Sequence, residues 1–169
     1  MMTILTRRLQ GQVEEYLADK QACFRKDMSM IQQILTLRLI AEKAKRKGRT
    51  IYNCFVDLQK AIDSISHKAT WAILQSYGVG IQLTDLLKNT NENAQAAVRV
   101  SHEQGEWFNV RKGTRQGDLI WPYVFITHLE RVMDANKDLK GGIAVHGVSI
   151  NNLRFADDMN LIEASSSSL

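Results

Sequence analysis

The sequence predicts an α+β fold with an antiparallel sheet. Two long segments, 28–47 and 119–136, carry apolar residues at helical spacing, whereas the other apolar runs are short and β-prone. These segments do not alternate as regular β-α-β units, which disfavours a parallel sheet. Apolar residues make up 44% of the 169-residue chain and charged residues 24%, a composition that supports an ordinary globular core.

The first long helix is predicted at 28–47, and Gly48 is placed to end it in the left-handed conformation. The stripe expected to face the core consists of Met30, Ile34, Leu37, Ala41 and Ala44, widened by Ile31 and Leu35. A basic run follows at Lys43, Lys45, Arg46, Lys47 and Arg49. Such a run is typical either of a solvated helix end, where cations suit the helix dipole, or of a patch that contacts phosphates.

Three further helices are expected. Two short ones occupy 68–77 and 81–90 and are divided by the turn Gly78-Val79-Gly80. The third occupies 119–136, where Pro122 falls in the first turn and is tolerated because the amide hydrogen that proline lacks has no partner there.

Strands are predicted in two regions before the last helix. The run Ile51 to Val56 is apolar and β-prone, which favours a buried strand that ends on Asp57. Farther along, Ala96 to Ser101 and Glu106 to Val110 are expected to pair as a hairpin that turns at Gly105.

The C-terminal region is predicted to contain two hairpins. The first joins Ile143–Val145 to Val148–Ile150 through a tight turn. In the second, Leu153–Ala156 and Met159–Glu163 flank Asp157-Asp158, so that two carboxylates lie at the tip between apolar strands.

Adjacent carboxylates between apolar strands repel each other and lose solvent, and a divalent cation relieves both effects. Asp157-Asp158 therefore indicates either a metal site or an ordinary acidic turn. Asp57 taken alone is typical of a turn or a helix cap. A carboxylate from one strand that faces a carboxylate pair from another is, however, the arrangement that a two-metal site needs.

A third candidate segment is KGTRQGDLIWP at 112–122, which precedes the last predicted helix. Its glycines allow close approach of a ligand to the backbone, and a helix N-terminus favours anions. Arg115 can bind phosphate with two hydrogen bonds, and Gln116 can hydrogen-bond a base or a sugar. The alternative is a solvated loop and helix cap without a ligand.

Charge and cysteine usage narrow the class of protein. The formal charge of +4 and the pI of about 9.1 are compatible with a polyanionic partner. Cys23 and Cys54 form no CxxC pair, so two reduced thiols are expected. No apolar segment is long enough to span a membrane and no signal peptide is evident, so an intracellular protein without a membrane partner is expected.

Four segments in order resemble the reverse transcriptase domain of non-long-terminal-repeat retrotransposons: QACFRKDMS (21–29), FVDLQKAIDSI (55–65), GTRQGDLIWPYVF (113–125) and LRFADDMNLI (153–162). The resemblance implies the fingers and palm of a right-hand polymerase. Residues 1–50 would form fingers, and 51–169 would form the palm with a fingers insertion. The chain would be truncated before the thumb.

The resemblance also implies roles for individual residues. Asp57, Asp157 and Asp158 correspond to the catalytic carboxylates that hold two Mg²⁺ ions, with Mn²⁺ as an alternative. The expected nucleotide-binding residues are Arg25 and Lys26 near the triphosphate, Lys60, Ala61 and Ile62 beneath the triphosphate and sugar, and Arg115, Gln116 and Gly117 in the loop. Implied partners are an RNA template, a DNA primer, a dNTP and an endonuclease domain on the same parent polyprotein.

Three departures from the family pattern leave more than one function open. Ile62 stands where an aromatic ring is usual, Trp121 where a serine is usual, and Cys23 where a glycine is usual. The first hypothesis is an RNA-directed DNA polymerase core. The second is a catalytically inactive, truncated remnant that at most binds nucleic acid. A two-metal nuclease ranks last, because no His or Glu is placed as a general base for water.

Overall fold

The computed structural model describes residues 2–92, 94–113, 117–135, 141–145 and 147–165. Its α-helices are α1 (Met2–Val13), α2 (Met30–Arg46), α3 (Ala61–Ser64), α4 (His67–Ser76), α5 (Ile81–Asn91) and α6 (Trp121–Asp134). Its β-strands are β1 (Tyr52–Val56), β2 (Gln95–Ala96), β3 (Arg99–Val100), β4 (Glu103–Gln104), β5 (Phe108–Asn109), β6 (Ile143–Val145), β7 (Val148–Ile150), β8 (Asn152–Phe155) and β9 (Asp158–Glu163). Within these ranges, no helix combines the length and apolar character needed to cross a bilayer.

The chain divides into two compact units, each assembled from two separate segments. The first unit comprises Met1–Tyr16 and Lys60–His128, and the second comprises Leu17–Gln59 and Leu129–Leu169. The assignment of 1–50 to fingers and 51–169 to palm stays a prediction.

The first unit is mainly helical. Helix α5 contacts both α4 and α1. Helix α1, which was not expected from the sequence, buries Leu5, Leu9 and Val13 at four-residue spacing. After it, the Tyr16 ring stacks on Tyr77 with ring centroids 5.0 Å apart. The helices predicted at 68–77 and 81–90 are confirmed as α4 and α5.

The predicted middle hairpin exists, but its turn is not at Gly105. Strand β2 pairs with β5, and β3 pairs with β4, all antiparallel. The chain reverses at Ser101 and His102, which both have positive φ, as tight hairpin turns that match strand twist require. Gly105 instead directly follows β4, and its amide donates to the Val98 carbonyl over 2.9 Å.

The second unit contains an antiparallel sheet in the order β1-β9-β8. The hairpin predicted around Asp157-Asp158 is confirmed as β8 and β9, and the preceding hairpin is confirmed as β6 and β7. An isolated parallel bridge joins Gln21 to Arg154, so the segment around Gln21 runs along the free edge of β8. Helices and antiparallel strands together confirm the predicted α+β class.

Helix α2 confirms the first predicted helix but buries a different face. Ser29 caps its N-terminus in a reciprocal capping box with Gln32, and Gly48 follows its C-terminus with φ +59°. The core cluster formed by Ile40, Leu153 and Ile162 packs its C-terminal half onto the sheet. Much of the expected stripe is exposed, including Met30, Ile31, Ile34 and Leu35, because the N-terminal half extends beyond this cluster.

Strand β1 confirms the strand predicted at 51–56, but the prediction that it is buried was wrong. Four of its five residues are exposed, and 73% of the Phe55 surface is accessible. The reason is its place in the sheet: among the described residues it pairs with β9 alone and forms the edge.

A buried ion pair joins α6 to the sheet within the second unit. The Arg154 Nη2 donates to Glu130 Oε2 over 3.1 Å and to Oε1 over 3.3 Å, and both side chains are 2% exposed. Glu130 Oε2 also accepts from the Ala18 amide over 3.2 Å. Burial lowers the pKa of Arg154, and the Glu130 carboxylate opposes that shift by stabilising the guanidinium.

The two cysteines are free and differ in environment. Cys23 is buried, and burial raises the pKa of its thiol to about 11. The Asp157 charge acts in the same direction, while hydrogen bonds from the Phe24 and Ala156 amides oppose it. Cys54, on edge strand β1, is exposed.

Replacing Glu130 by Ala is expected to lower the free energy of unfolding by about 3–5 kcal/mol, because it leaves the buried Arg154 charge uncompensated. The matched control is Glu42→Ala, which breaks the exposed pair with Arg38 and is expected to cost about 0.5 kcal/mol or less. Urea denaturation measures both. Equal losses in the two variants would contradict the assignment.

Alkylation of the native protein with iodoacetamide at pH 8 is expected to label Cys54 and to spare Cys23. With a pKa of about 11, roughly one Cys23 thiol in a thousand is ionised at that pH, and the side chain is also buried. Peptide mass spectrometry measures the labelling, and the denatured protein, in which both cysteines react, is the control. Comparable labelling rates in the native state would refute the expectation.

Candidate active site

Two of the three predicted catalytic carboxylates are placed opposite each other by strand pairing. Asp57 directly follows β1, and Asp158 is the first residue of β9. Val56 pairs with Met159, and the same antiparallel register continued by one residue sets Asp57 opposite Asp158. Residues directly opposite on neighbouring strands share a face, with Cβ atoms about 5 Å apart. Strand register therefore brings two negative charges together at this end of the sheet.

The third carboxylate, Asp157, lies in the turn that joins β8 to β9. Phe155 pairs with Asp158, which leaves a two-residue turn of Ala156 and Asp157. Ala156 has φ +55°, a left-handed conformation that residues with a Cβ adopt rarely. Asp157 is half-buried, whereas Asp57 and Asp158 are exposed.

A cavity of about 370 Å³ adjoins the facing carboxylates within the second unit. Asp57 and Asp158 line it, and Asp157 is not among its lining residues. Its apolar lining comes from α2 and the sheet and includes Met30, Ile34, Phe55 and Met159. The side chains of α2 that were expected in the core thus contribute to a cavity beside the carboxylates.

The ligands that this site offers a divalent cation are the carboxylates of Asp57 and Asp158. Within the described part of the chain, no three His, Cys, Asp or Glu side chains gather closely enough to hold a metal ion. Two carboxylates are, however, the usual protein contribution to a Mg²⁺ site that takes its remaining ligands from water and substrate phosphates. Asp57 and Asp158 fit that chemistry, because both line one cavity that is open to solvent.

Sequence reasoning missed Gln21, which contacts the turn directly. The side chain is fully buried. Its Oε1 accepts from the Ala156 amide over 3.1 Å and from the Cys23 amide over 3.0 Å. Its Nε2 donates to the Ala156 carbonyl over 3.2 Å. The partners lie 135 positions apart in sequence, and no local pattern indicates such a pairing.

Arg25 and Lys26, the expected triphosphate contacts, follow the same segment. Arg25 is half-buried, and its Nη1 donates to the Ala18 carbonyl over 2.7 Å and to the Gln21 carbonyl over 3.2 Å. Lys26 is exposed. Arg25 therefore braces the backbone of its own segment in addition to any contact with a ligand.

The remaining predicted nucleotide-binding residues belong to the first unit. Lys60 precedes α3 with φ +52° and is exposed, Ala61 is buried, and Ile62 is half-buried. Arg115 and Gln116 lie outside the described residues. Gly117 is exposed and has φ +89°.

Gly113, two positions before Arg115, is tightly held. Gly113 has φ +78°, and a Cβ there would lie 2.8 Å from the Asp63 carbonyl oxygen, so only glycine fits. The buried His67 contacts its carbonyl through Nε2 over 2.7 Å, which makes Nε2 the protonated, donating nitrogen. Sequence reasoning assigned no role to His67.

Trp121, one of the departures from the family pattern, is a packing residue in the first unit. It is 3% exposed, and its ring lies 5.2 Å from the His67 ring at an angle of 31°. His67 therefore contacts both the Trp121 ring, at the start of α6, and the Gly113 carbonyl.

The chain is similar to reverse transcriptases and to the Pol polyproteins of R2 retrotransposable elements. A family model described as reverse transcriptase (RNA-dependent DNA polymerase) matches residues 1–169. Two Pol polyproteins of the type-1 retrotransposable element R2 from Popillia japonica are each 28% identical to the chain, over 77% and 95% of it. A Pol polyprotein of the type-2 element R2DM from Drosophila melanogaster is 28% identical over 73% of the chain. The chain spans only 22%, 22% and 12% of these three relatives.

Solved structures show the same fold. Telomerase from Candida tropicalis in complex with a fragment of telomeric RNA matches 98% of this chain and 28% of its own, with a TM-score of 0.65 and 12% identity. The apo form of that telomerase, truncated from its C-terminal domain, gives a TM-score of 0.61 over the same share of this chain. The predicted polymerase fingers and palm fold is therefore confirmed.

Proposed function

The chain belongs to the reverse transcriptase family, and we propose from this that it is an RNA-directed DNA polymerase core. It would transfer a nucleotide from a dNTP to the 3′-hydroxyl of a primer paired with an RNA template. The observation that carries the proposal is the facing pair Asp57 and Asp158 at one end of the sheet, in the cavity beside β9.

Enzymes of this family generally use divalent metal ions. We propose two Mg²⁺ ions here, with Mn²⁺ as an alternative, held by Asp57, Asp158 and, from the turn, Asp157. When bound, such ions activate the attacking hydroxyl and stabilise the leaving pyrophosphate. The protein's own contribution is positional: strand register holds Asp57 and Asp158 opposite each other before substrate arrives.

We propose nucleotide binding for the eight residues that match the motifs of the family. Arg25 and Lys26 would neutralise the triphosphate, and Lys60, Ala61 and Ile62 would lie near the sugar and phosphates. Arg115, Gln116 and Gly117 would contact the incoming nucleotide and the template. Support comes from the exposure of Lys26, Lys60 and Gly117, which leaves these positions accessible to a ligand.

Partners are proposed from the relatives, whose printed names describe Pol polyproteins of R2 elements. The proposed partners are an RNA template, a DNA primer and a dNTP, with an endonuclease domain on the same parent polyprotein. The basic end of α2 offers exposed cations for phosphate contacts: Lys45, Arg46, Lys47 and Arg49.

An inactive remnant is the second candidate, and Ile62 is the residue that favours it. The family usually carries an aromatic ring at this position, beneath the sugar. Ile62 is half-buried in the short helix α3, where a β-branched side chain provides less surface than a ring. This candidate would bind nucleic acid in a salt-sensitive manner without extending a primer.

Asp158→Asn and Asp57→Asn are each expected to reduce primer extension on an RNA template by at least about a hundredfold, because each removes a charge from the metal-binding pair. Extension assays with Mg²⁺ and dNTPs measure this. Asp85→Asn, an exposed aspartate on α5, is the matched control and should leave activity unchanged. Wild-type protein without extension activity would favour the remnant, and template cleavage without dNTPs would favour a nuclease.

Ile62→Phe is expected to increase discrimination against ribonucleotides by about tenfold or more, because a larger side chain beneath the sugar leaves less space for a 2′-hydroxyl. The measurement is the ratio of kcat/KM for a dNTP to that for the matching ribonucleotide. Ile62→Leu conserves volume and serves as the control. An unchanged ratio in Ile62→Phe would remove Ile62 from the proposed nucleotide site.

A further inference from the structure

The turn that carries Asp157 is held in a conformation that its own sequence does not favour. Ala156 has φ +55°, although alanine has a Cβ and the usual residues at such positions are Gly, Asn and Asp. A strained turn persists only where its surroundings determine it. Some other part of the second unit must therefore fix the backbone between Phe155 and Asp158.

Gln21 supplies that constraint through both ends of one amide. Its Oε1 accepts from the Ala156 amide and its Nε2 donates to the Ala156 carbonyl, at 3.1 Å and 3.2 Å. The backbone of Ala156 thus has its donor and its acceptor matched by a single planar group. A carboxylate offers only acceptors and an aliphatic side chain offers neither, so the primary amide is the group that fits.

The Gln21 side chain acts as a clamp on Ala156, and the backbone on both sides of Gln21 is itself anchored. The Ala22 amide donates to the Arg154 carbonyl over 3.1 Å, and the Arg154 amide donates to the Lys20 carbonyl over 2.8 Å. Arg25 holds the Gln21 carbonyl from outside. Since Gln21 is fully buried and its backbone is tied to β8, its amide group has little freedom to move away from the turn.

Electrostatics favour a neutral side chain at position 21. Asp157 lies close enough to Cys23, two residues from Gln21, for its charge to contribute to raising the pKa of that thiol. An anionic side chain at position 21 would add a third negative charge beside Asp157 and Asp158. A cationic one would pair with a carboxylate and compete with a divalent ion for it.

We propose that Gln21 is a positioning residue that sets the orientation of Asp157 and Asp158 by clamping Ala156, without touching metal or nucleotide. This inference rests on the proposed function, in which those carboxylates bind the divalent ions. Loss of the clamp would let the turn relax from its left-handed conformation. The carboxylates would then bind Mg²⁺ less tightly while the sheet below them stays intact.

The experiment compares the full chain with Gln21→Met, Gln21→Glu and the exposed control Gln82→Met. Hydrogen exchange of individual amides tests the clamp without any need for activity. In Gln21→Met, the Ala156 amide is expected to exchange at least about tenfold faster, because it loses its oxygen acceptor and keeps only the weaker contact with the Cys23 sulfur. The Arg154 amide, bonded to the Lys20 carbonyl, should exchange at its wild-type rate. Unchanged protection of Ala156 would overturn the clamp.

Magnesium dependence tests the positioning role. At a temperature where circular dichroism shows all variants folded, Gln21→Met is expected to raise the Mg²⁺ concentration for half-maximal primer extension at least about threefold. A purely structural role would lower the unfolding midpoint and leave that concentration unchanged. Wild-type Mg²⁺ dependence together with lost Ala156 protection would refute the positioning role.

The Gln21→Glu variant tests the chemistry of the clamp. An ionised carboxyl turns an acceptor toward the Ala156 carbonyl, where the Gln21 amide places a donor. At pH 9 primer extension is therefore expected to fall at least about tenfold relative to wild type, and wild-type extension would count against the clamp. If wild type itself extends no primer, the proposed function fails, and NMR titration of the Asp158 amide with Mg²⁺ still compares the variants.

Discussion

The register of β1 against β9 is the constraint on which the candidate site depends. Because Val56 pairs with Met159, Asp57 follows one strand where Asp158 begins the other, and two like charges meet at the end of the sheet. That arrangement costs free energy in the absence of a cation, and the exposure of both carboxylates keeps the cost low. A one-residue shift of the register would turn the two side chains to opposite faces and abolish the pair.

Contacts elsewhere in the second unit hold the strands in this register. The Arg154–Glu130 pair fixes β8 to α6, and the core around Ile40, Leu153 and Ile162 fixes α2 to the same strands. Glu130 also receives the Ala18 amide, so one buried carboxylate serves both the sheet and the segment that leads to Gln21. A polar network of this kind is costly to break and favours one arrangement of the strands over others.

Sequence reasoning predicted elements whose signals are local. The hairpin around Asp157-Asp158, the helices α4, α5 and α6 and the end of α2 at Gly48 all follow from periodicity, turn residues and caps. Sequence reasoning failed where the burial or position of an element depends on residues that are distant in the sequence. Nothing in the run from Ile51 to Val56 distinguishes an edge strand from a central one, and α1 was missed because Gly11 and paired arginines obscure its apolar stripe.

In the candidate site, too, the residues with local sequence signals could be predicted and those held by distant contacts could not. Asp57 and Asp158 could be identified from their motifs, and the register of β1 against β9, continued by one residue, sets them opposite each other. The contact of Gln21 with Ala156 spans 135 positions, and that of His67 with Gly113 spans 46, so neither is visible in any sequence window. Whether a polar side chain orients a loop or a turn depends on the tertiary structure, and its residue type alone does not predict that role.

The exposed edge of β1 has a consequence for handling the protein. The run IYNCFV contains no charge and no proline, and edge strands without either are templates for pairing between molecules. Cys54 lies within it and is exposed, so an intermolecular disulfide would lock such a pair covalently. We therefore expect reducing conditions to protect the strand against irreversible self-association, and air oxidation to promote it.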